Sequence, residues 1–171
     1  MKPTLETERL ILRPQAESDT VELIAMSMDP QVMKFIGEGA MTLQDSEELT
    51  LETLEMEGPL GRWIVTERDT GQFLGWVVLT HLDGSDDIEV GYGFKVLAWG
   101  RGFATEATKR LLRHGFEDLG LQEIVAVSRP ENAASHKVLE KAGLRRRGLR
   151  DAFGLRDLYY FVATADALMA R

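Results

Sequence analysis

The sequence predicts a mixed α/β (α+β) domain in which about four helices flank a central, largely antiparallel sheet of about seven strands. Three observations predict this class. Apolar and polar residues alternate in several short segments separated by turn residues, as in strands. Apolar residues recur at helical spacing in four longer segments. The elements follow the order strand, two helices, three strands, then helix, strand, helix, strand, strand, which favours one mixed domain over residues 1–171.

The first third of the chain reads as one strand and two helices. Residues 9–13 alternate between polar and apolar side chains and predict a strand. Residues 17–28 predict a helix that an Asp-Pro pair at 29–30 stops. A second helix, rich in Glu and Leu, is predicted over 43–56, and the Gly-Pro pair at 58–59 breaks the chain after it.

Three strands follow in succession. The segments 62–67 and 72–82 are rich in β-branched and aromatic residues, and the Asp-Thr-Gly triplet at 69–71 predicts a hairpin between them. The second of these strands is apolar on both faces, which indicates a central place in the sheet. A further strand over 87–95 follows the Asp-Gly-Ser turn at 83–85.

The last part of the chain alternates helices and strands. A helix is predicted from the glycine-rich turn near residue 102 to about residue 119, because its apolar residues fall on one stripe. A strand over 122–128, a helix over 132–142 and closing strands near 144–150 and 157–163 complete the sheet.

The composition limits the classes of protein that the chain can belong to. It has 171 residues, 44% hydrophobic and 28% charged, as is typical of a soluble globular domain. The sequence contains no apolar run of membrane-spanning length and no signal-peptide core, so we expect a cytoplasmic protein with no membrane partner. Cysteine is absent, and His81, His114 and His136 have no metal-ligand spacing, so we expect no metal and interpret the histidines as surface or packing residues.

The charge balance indicates the kind of partner. The formal net charge is −8, and the sequence has no strong basic patch. We therefore expect no nucleic-acid partner. The one basic run, Arg145 to Arg147, is interpreted as the solvated start of a strand. An acidic protein favours a cationic acceptor such as an amine.

The segment WGRGFATEA, residues 99–107, places Gly100 and Gly102 where a helix begins. Free amides and the positive end of the helix dipole make such a turn an anion site, although a plain tight turn is the alternative. A P-loop is excluded because its Lys-Ser/Thr pair is missing. A dinucleotide site is disfavoured because Thr105 replaces the third glycine.

The strand before this turn adds a second clue. One face of it is apolar: Ile88, Val90, Tyr92 and Phe94. The other face carries Glu89, Gly91 and Gly93, where the glycines indicate either a bulge or a ligand lying close to the backbone. Together with the turn, this face predicts a groove for a long ligand with a phosphate end.

The helix over 132–142 adds a third clue. Its predicted inner stripe consists of Ala134, Val138, Leu139 and Ala142. Ser135 falls within this stripe, either as a functional hydroxyl or as one that bonds back to a carbonyl one turn earlier. Asn132 stands at the helix start, where a simple N-cap is the alternative to a ligand contact.

These features, in this order, resemble the GNAT superfamily of acyl-CoA N-acyltransferases. Residues 99–104 match the family's signature Gln/Arg-x-x-Gly-x-Gly/Ala, with Trp99 in the first position. The segment ENAASHKVLEKAGL is similar to the family's Asn-initiated helix, with Leu144 where Phe is usual. The segments LETERLILRP, DPQVMKFIG and EVGYGF resemble the ribosomal-protein-alanine N-acetyltransferase (Rim-type) branch, and the likeness covers residues 5–163.

The resemblance implies acetyl-CoA as co-substrate and a primary amine as acceptor. It implies that the amides of residues 101–105 hold the pyrophosphate, that the strand 89–96 runs beside the pantetheine arm, and that Asn132 bonds this arm. The cofactor-binding residues implied are Phe94, Lys95, Val96, Trp99, Gly100, Arg101, Gly102, Phe103, Ala104, Thr105 and Asn132.

Transfer of an acetyl group to an amine requires a base for the amine and a proton donor for the leaving thiolate. Glu89 is the candidate base, directly or through water, with an ordinary paired carboxylate as the alternative. Ser135 is the candidate acid or hydrogen-bond donor to the sulfur, with an orienting role as the alternative. Many family members carry a Tyr four residues after this Ser, where this chain has Leu139.

Three functions remain open at this point. The first is an N-acetyltransferase for a protein N-terminus or a small amine. The second is a transferase for polyamines, amino acids or an amine antibiotic, and the third is a CoA-binding sensor without catalysis. We expect the acceptor pocket within 26–41 and 144–157, and a monomer or homodimer. Four methionines could line this pocket or fill the core: Met26, Met28, Met33 and Met41.

Overall fold

The structure, a computed structural model, describes residues 2–169 of the chain. It contains eight strands: β1 (Leu5–Glu6), β2 (Leu10–Pro14), β3 (Gly61–Glu67), β4 (Phe73–His81), β5 (Ile88–Phe94), β6 (Glu123–Ser128), β7 (Arg145–Ala152) and β8 (Leu155–Thr164). It contains six α-helices: α1 (Thr20–Met28), α2 (Pro30–Met33), α3 (Leu43–Glu55), α4 (Phe103–Glu117), α5 (Ala133–Ala142) and α6 (Ala165–Met169).

The strands form one mixed sheet in the order β1-β2-β3-β4-β5-β6-β8-β7. Neighbouring strands are antiparallel except β5 and β6, which are parallel. Helix α4 connects these two, as a parallel pair requires a crossover rather than a hairpin. The predicted class, a mixed α/β domain with a mostly antiparallel sheet, is confirmed.

Helices cover both faces of the sheet. On one face, apolar residues of α4 and α5 such as Leu111 and Leu139 join the main core cluster, which contains the apolar residues of β5. On the other face, Met26 and Met33 pack near Trp76 of β4. The apolar stripe of α4 therefore faces the sheet, as its periodicity predicts.

The stripe predicted for α5 is wrong in part. Leu139 and Ala142 are buried, but Ala134 is exposed and Val138 is half-buried. The first turn of α5 lies beyond the core, so only the later apolar residues meet the sheet. Ser135, in that first turn, stays half-buried and reachable.

Three short elements were not predicted. Strand β1 has two residues, too few to show alternation. Helix α2 follows directly where a stop was expected, because the Asp29 carboxylate accepts a hydrogen bond from the Gln31 amide and Pro30 suits the first helical position. Helix α6 has five residues.

The sheet opens between β5 and β6. Within the described residues their register contains one pair, Glu89 with Val125. Beyond this pair β5 continues to Phe94 and β6 to Ser128 without further pairing. This leaves a cleft whose β5 wall carries backbone groups that are free to pair with an extended ligand. Over residues 2–169, no helix combines the length and apolar character needed to cross a membrane.

Candidate active site

The glycine turn lies at the open end of the cleft, directly before α4. Gly100 and Gly102 have φ angles of +72° and +80°, in the left-handed region that suits glycine. An added Cβ at Gly100 would meet no atom within 4 Å, so the backbone there faces open space. The two glycines therefore make the turn sharp and leave it accessible.

The turn presents a row of free amides. Among the described residues, no protein atom accepts a hydrogen bond from the amides of residues 100–105, and the first helical bond of α4 runs from the Glu106 amide to the Gly102 carbonyl at 3.1 Å. The first amides of any helix lack an intrahelical partner, and the helix dipole adds positive potential there. This arrangement suits a phosphate or pyrophosphate.

Two ion pairs hold the turn in place. Arg9 donates to the Arg101 carbonyl at 2.9 Å and pairs with Glu106, and its guanidinium lies 4.6 Å from the Phe103 ring. Arg101 pairs with Glu67 at 2.6 Å. Sequence reasoning missed Arg9, because it reads as a polar position of the strand predicted over 9–13 and no local pattern indicates a partner so far along the chain.

The residues before the turn differ in how far they are engaged within the protein. The Phe94 side chain is buried in the core, and its carbonyl accepts a hydrogen bond from the Trp99 indole at 2.8 Å. Lys95 donates its amide to the Leu74 carbonyl and pairs its ammonium with Glu22. These groups are engaged within the protein, whereas Val96 and Trp99 keep exposed side chains beside the turn.

The predicted ligand space over the glycine face of β5 is filled by the neighbouring strand. A Cβ on Gly93 would lie 2.8 Å from the Trp76 ring, and one on Gly91 would lie 3.1 Å from Val78. The glycines thus make room for side chains of β4, and the expectation that this face accommodates a ligand is wrong. The unpaired edge of β5 toward β6 is the part left for an extended ligand.

Glu89 lies at the apex of the cleft, on the sheet face that carries Trp76 and Val78. Its side chain is buried, with 8% of the residue exposed. Burial, and secondarily the charge of Asp83, raises the pKa of the Glu89 carboxyl to about 7. No ion pair joins it to a described residue, so the alternative of an ordinary paired carboxylate is not what the structure shows. A carboxyl with this pKa can accept a proton near neutral pH.

Ser135 hydrogen-bonds to a residue that sequence reasoning placed only in the apolar face. The Tyr92 hydroxyl lies 2.8 Å from Ser135 Oγ and 3.3 Å from the Ser135 carbonyl. Burial raises the pKa of the Tyr92 phenol to about 12, so this phenol keeps its proton at neutral pH. The expected alternative for Ser135, a bond to a carbonyl one turn earlier, is not observed within the described residues.

Asn132 caps α5, because its Oδ1 accepts a hydrogen bond from the Ser135 amide at 3.2 Å. This confirms the N-cap interpretation and leaves the side-chain NH₂ of Asn132 available to a ligand. Leu139, which replaces the family's tyrosine, is buried in the core. Tyr92 therefore supplies the phenol near Ser135 from the strand rather than from the helix.

The candidate base, Glu89, and the candidate proton donors, Tyr92 and Ser135, lie on opposite faces of the sheet. Alternation along β5 points Glu89 to one face and Tyr92 to the other, where Ser135 lies. The cleft between β5 and β6 connects the faces. A reacting group placed in the cleft could be deprotonated from one side and protonated from the other.

The remaining predicted features are structural. His114 is buried edge-on against Trp63, and His136 stacks on Tyr159 with ring centroids 4.9 Å apart. His81 is exposed.

Met26 and Met33 are buried in a core cluster and Met41 packs against it, whereas Met28 is exposed. Arg145, Arg146 and Arg147 are exposed in β7, and Arg146 stacks over Tyr159.

The cleft between the parallel strands β5 and β6 has free amides at its open end, and Glu89 and the pair Tyr92 and Ser135 flank it. This arrangement fits an acyltransferase that uses a phosphate-bearing donor. Residues 9–145 match the family model for the Acetyltransferase (GNAT) domain. The chain belongs to this family of acetyltransferases.

Individual relatives agree with this assignment. The chain is 30% identical over 144 residues to the uncharacterized N-acetyltransferase YnaD of Bacillus subtilis, covering 84% of each chain. It is 31% identical over 156 residues to an FsC-acetyl coenzyme A-N(2)-transacetylase of Aspergillus fumigatus, covering 84% of this chain and 65% of that one. The crystal structure of a GNAT-family acetyltransferase from Bacillus anthracis has a TM-score of 0.83 and 27% identity, covering 96% of this chain and 99% of that chain.

Proposed function

We propose that the protein moves the acetyl group of acetyl-CoA to a primary amine, by direct attack of the amine within a ternary complex. The observation that carries the proposal is the row of free amides over residues 100–105, placed at the open end of the β5–β6 cleft. The name of the Aspergillus fumigatus relative, which specifies acetyl coenzyme A, supports the choice of donor.

The residues of the chain fit this donor along its length. The turn amides suit its pyrophosphate, and Arg9 and Arg101 fix the turn through their pairs with Glu106 and Glu67. The free edge of β5 and the Asn132 side-chain amide suit the amide groups of the pantetheine arm. Acetyl-CoA supplies the activated acetyl thioester.

In this reaction Glu89 accepts a proton from the amine, and Ser135 donates a proton to the leaving group. Glu89 takes one proton from the substrate ammonium, and the freed amine nitrogen forms a bond to the acetyl carbon. The carbon–sulfur bond breaks as Ser135 donates a proton to the departing thiolate and Tyr92 donates one to Ser135, and the second proton that the nitrogen loses returns to Tyr92 through solvent. Because burial raises the pKa of Tyr92 to about 12, its phenol carries a proton at neutral pH.

The acceptor side lies on the face of Glu89. A cavity of about 320 Å³ is lined by Asp83 and Asp151 together with residues 152 and 154–156. Asp83 is close enough to Glu89 to act on its pKa. The lining carries two carboxylates and one guanidinium, that of Arg156, and its net negative charge favours a cationic amine. All of its residues except Asp83 fall within the segment 144–157 where we expect the acceptor pocket. The resemblance to the Rim-type branch favours a protein N-terminus, with a small amine as the other candidate.

The function is tested by thiol release from acetyl-CoA. The protein is supplied with acetyl-CoA and, separately, with peptides that begin with Ala or Ser, with polyamines, with free amino acids and with aminoglycosides. The proposal expects thiol release above the hydrolysis background for at least one amine, together with the matching acetyl-amine by mass spectrometry. Tight acetyl-CoA binding without turnover on any amine would instead favour a CoA-binding sensor.

A further inference from the structure

A second cavity lies away from the active-site cleft, between the end of α3, the start of β3 and the N-terminal segment. Its volume is about 390 Å³, within the range of sites for small metabolites. Its lining consists of Lys2, Pro14, Gln15, Thr53, Leu54, Met56, Glu57, Gly58 and Arg62. It shares no lining residue with the turn at 100–105 or with the pair Tyr92 and Ser135.

Arg62 is the unusual member of this lining. It is 9% exposed, yet within residues 2–169 its guanidinium forms no ion pair or hydrogen bond, and its Nε is buried without a partner. One side of it is covered by the Trp76 ring, whose centroid lies 5.0 Å away. Burial lowers the pKa of Arg62 to about 10, which still leaves it charged at neutral pH. Buried charges are paired in most proteins, so this one lacks its counterpart.

Two further residues of the lining, Gln15 and Lys2, restrict the chemical groups of a ligand that would pair with Arg62. Gln15 donates from Nε2 to the Thr50 carbonyl at 2.9 Å, which leaves its buried Oε1 as an acceptor without a donor. Lys2 adds a second cation, held by a bond from Nζ to the Met56 carbonyl at 2.6 Å. A ligand that satisfies the cavity therefore carries an anionic group for Arg62 and a hydrogen-bond donor for Gln15.

The charge of the lining selects the anion. Two cations, Lys2 and Arg62, and one carboxylate, Glu57, leave a single net positive charge. A monovalent carboxylate neutralises it and matches the planar fork of a guanidinium, whereas a phosphate dianion exceeds it. We propose that this cavity is a binding site for a small carboxylic acid that also carries a hydroxyl or an ammonium group, such as a hydroxy acid or an amino acid.

The site is separate from the acetyl-transfer chemistry and does not depend on the function proposed above. Arg62 lies on β3, and β4 separates it from β5, which carries Glu89. At ordinary strand spacing the backbones of β3 and β5 lie roughly 10 Å apart. Ligand binding here is therefore measurable on the free protein without acetyl-CoA.

The test measures melting temperature and calorimetric binding in a chloride buffer with four probes at equal ionic strength. Acetate offers a carboxylate alone, lactate adds a hydroxyl, alanine adds an ammonium, and inorganic phosphate offers a different anion. We expect lactate or alanine to raise the melting temperature by several degrees at saturation and to bind about tenfold more tightly than acetate. Stronger binding of phosphate than of any carboxylate, or no shift with any probe, would overturn the proposal.

Variants locate the site. Arg62→Met is expected to abolish the ligand-induced shift and, without ligand, to melt at the same or a higher temperature, because an unpaired buried charge is removed. Gln15→Met is expected to keep the acetate response and lose the preference for lactate or alanine. Arg68→Met, which changes an arginine that pairs with Glu6, is the control and keeps every response. A ligand shift that persists in Arg62→Met would contradict the assignment.

Discussion

The Tyr92 hydroxyl lies 2.8 Å from Ser135 Oγ and so joins strand β5 to the first turn of α5. The two residues are far apart in sequence, and among the described residues neither side chain forms a hydrogen bond outside this pair. Since burial raises the pKa of Tyr92 to about 12, the pair holds its protons at neutral pH. In the mechanism that we propose, this pair protonates the thiolate that forms in the cleft.

Removing either hydroxyl of this pair is expected to slow turnover. Ser135→Ala and Tyr92→Phe should each lower kcat by about 10²-fold, the scale of a lost general acid, with little change in the KM for acetyl-CoA. Because the two hydroxyls act in series, the double variant should lose no more than the slower single variant. Steady-state thiol release measures all three.

The control for this series is Tyr160→Phe. Its hydroxyl accepts a hydrogen bond from Arg150 and lies outside the pair. We expect its kcat to match that of the unmodified protein. Unchanged kcat in Ser135→Ala, or a double variant whose losses multiply, would remove the relay from the mechanism.

The pH dependence of the rate should report Glu89. A base must be ionised, so kcat/KM is expected to rise with pH through the Glu89 pKa of about 7 and then to level off. Glu89→Gln should lower kcat/KM by about 10²-fold and abolish this limb of the profile. The measurement is the initial rate across the neutral range with one fixed amine. An unshifted limb in the variant would assign the base elsewhere.

The same carboxyl should destabilise the folded protein at high pH. Its pKa is raised from 4.5 to about 7, so the folded state binds more protons than the unfolded state between these values. Stability linked to Glu89 is therefore full below about pH 4.5 and declines as pH rises through about 7. Glu89→Gln should melt higher than the unmodified protein at about pH 8 and at the same temperature at about pH 4.

Thermal melts at several pH values measure this difference. Glu52→Gln, a change at an exposed carboxylate on α3, is the matched control and should show no such trend. A Glu89→Gln variant that is less stable at high pH would contradict burial as the cause of the raised pKa.

Glycine in the turn should matter for donor binding beyond its effect on stability. Gly100 and Gly71 have φ angles of +72° and +70°, and an added Cβ would meet nothing within 4 Å at either. Alanine should therefore cost each position about 1 kcal/mol of folding stability. Only Gly100→Ala should also weaken acetyl-CoA binding, by about tenfold or more, because its methyl group occupies the face of the free amides. Isothermal calorimetry measures the two Kd values, and equal Kd values would mean that the ligand does not approach Gly100.

The sequence predicted the long elements and the turn well, because each depends on local patterns. The stripe of α4 and the alternation of β5 follow directly from periodicity, and the paired glycines indicate a sharp, accessible helix start. Elements of two to five residues, such as β1 and α2, contain too little pattern to be read.

The parts that sequence reasoning missed depend on contacts between distant segments. Arg9 reaches the turn, Tyr92 reaches Ser135, and Trp76 fills the space over Gly93, and none of these partners is near in sequence. The interpretation of the glycine face failed for this reason: a glycine in a strand indicates a close approach, but not which group approaches.

The most direct test of the account is the melting temperature with saturating acetyl-CoA, with NAD as the control nucleotide. At about a hundredfold excess over Kd, binding adds about 2.7 kcal/mol of stability, which for a chain of this size corresponds to a rise of about 5 to 10 °C. The account predicts this rise with acetyl-CoA and none with NAD. No rise with acetyl-CoA, or a rise with NAD alone, would contradict the assignment of the turn and cleft as the donor site.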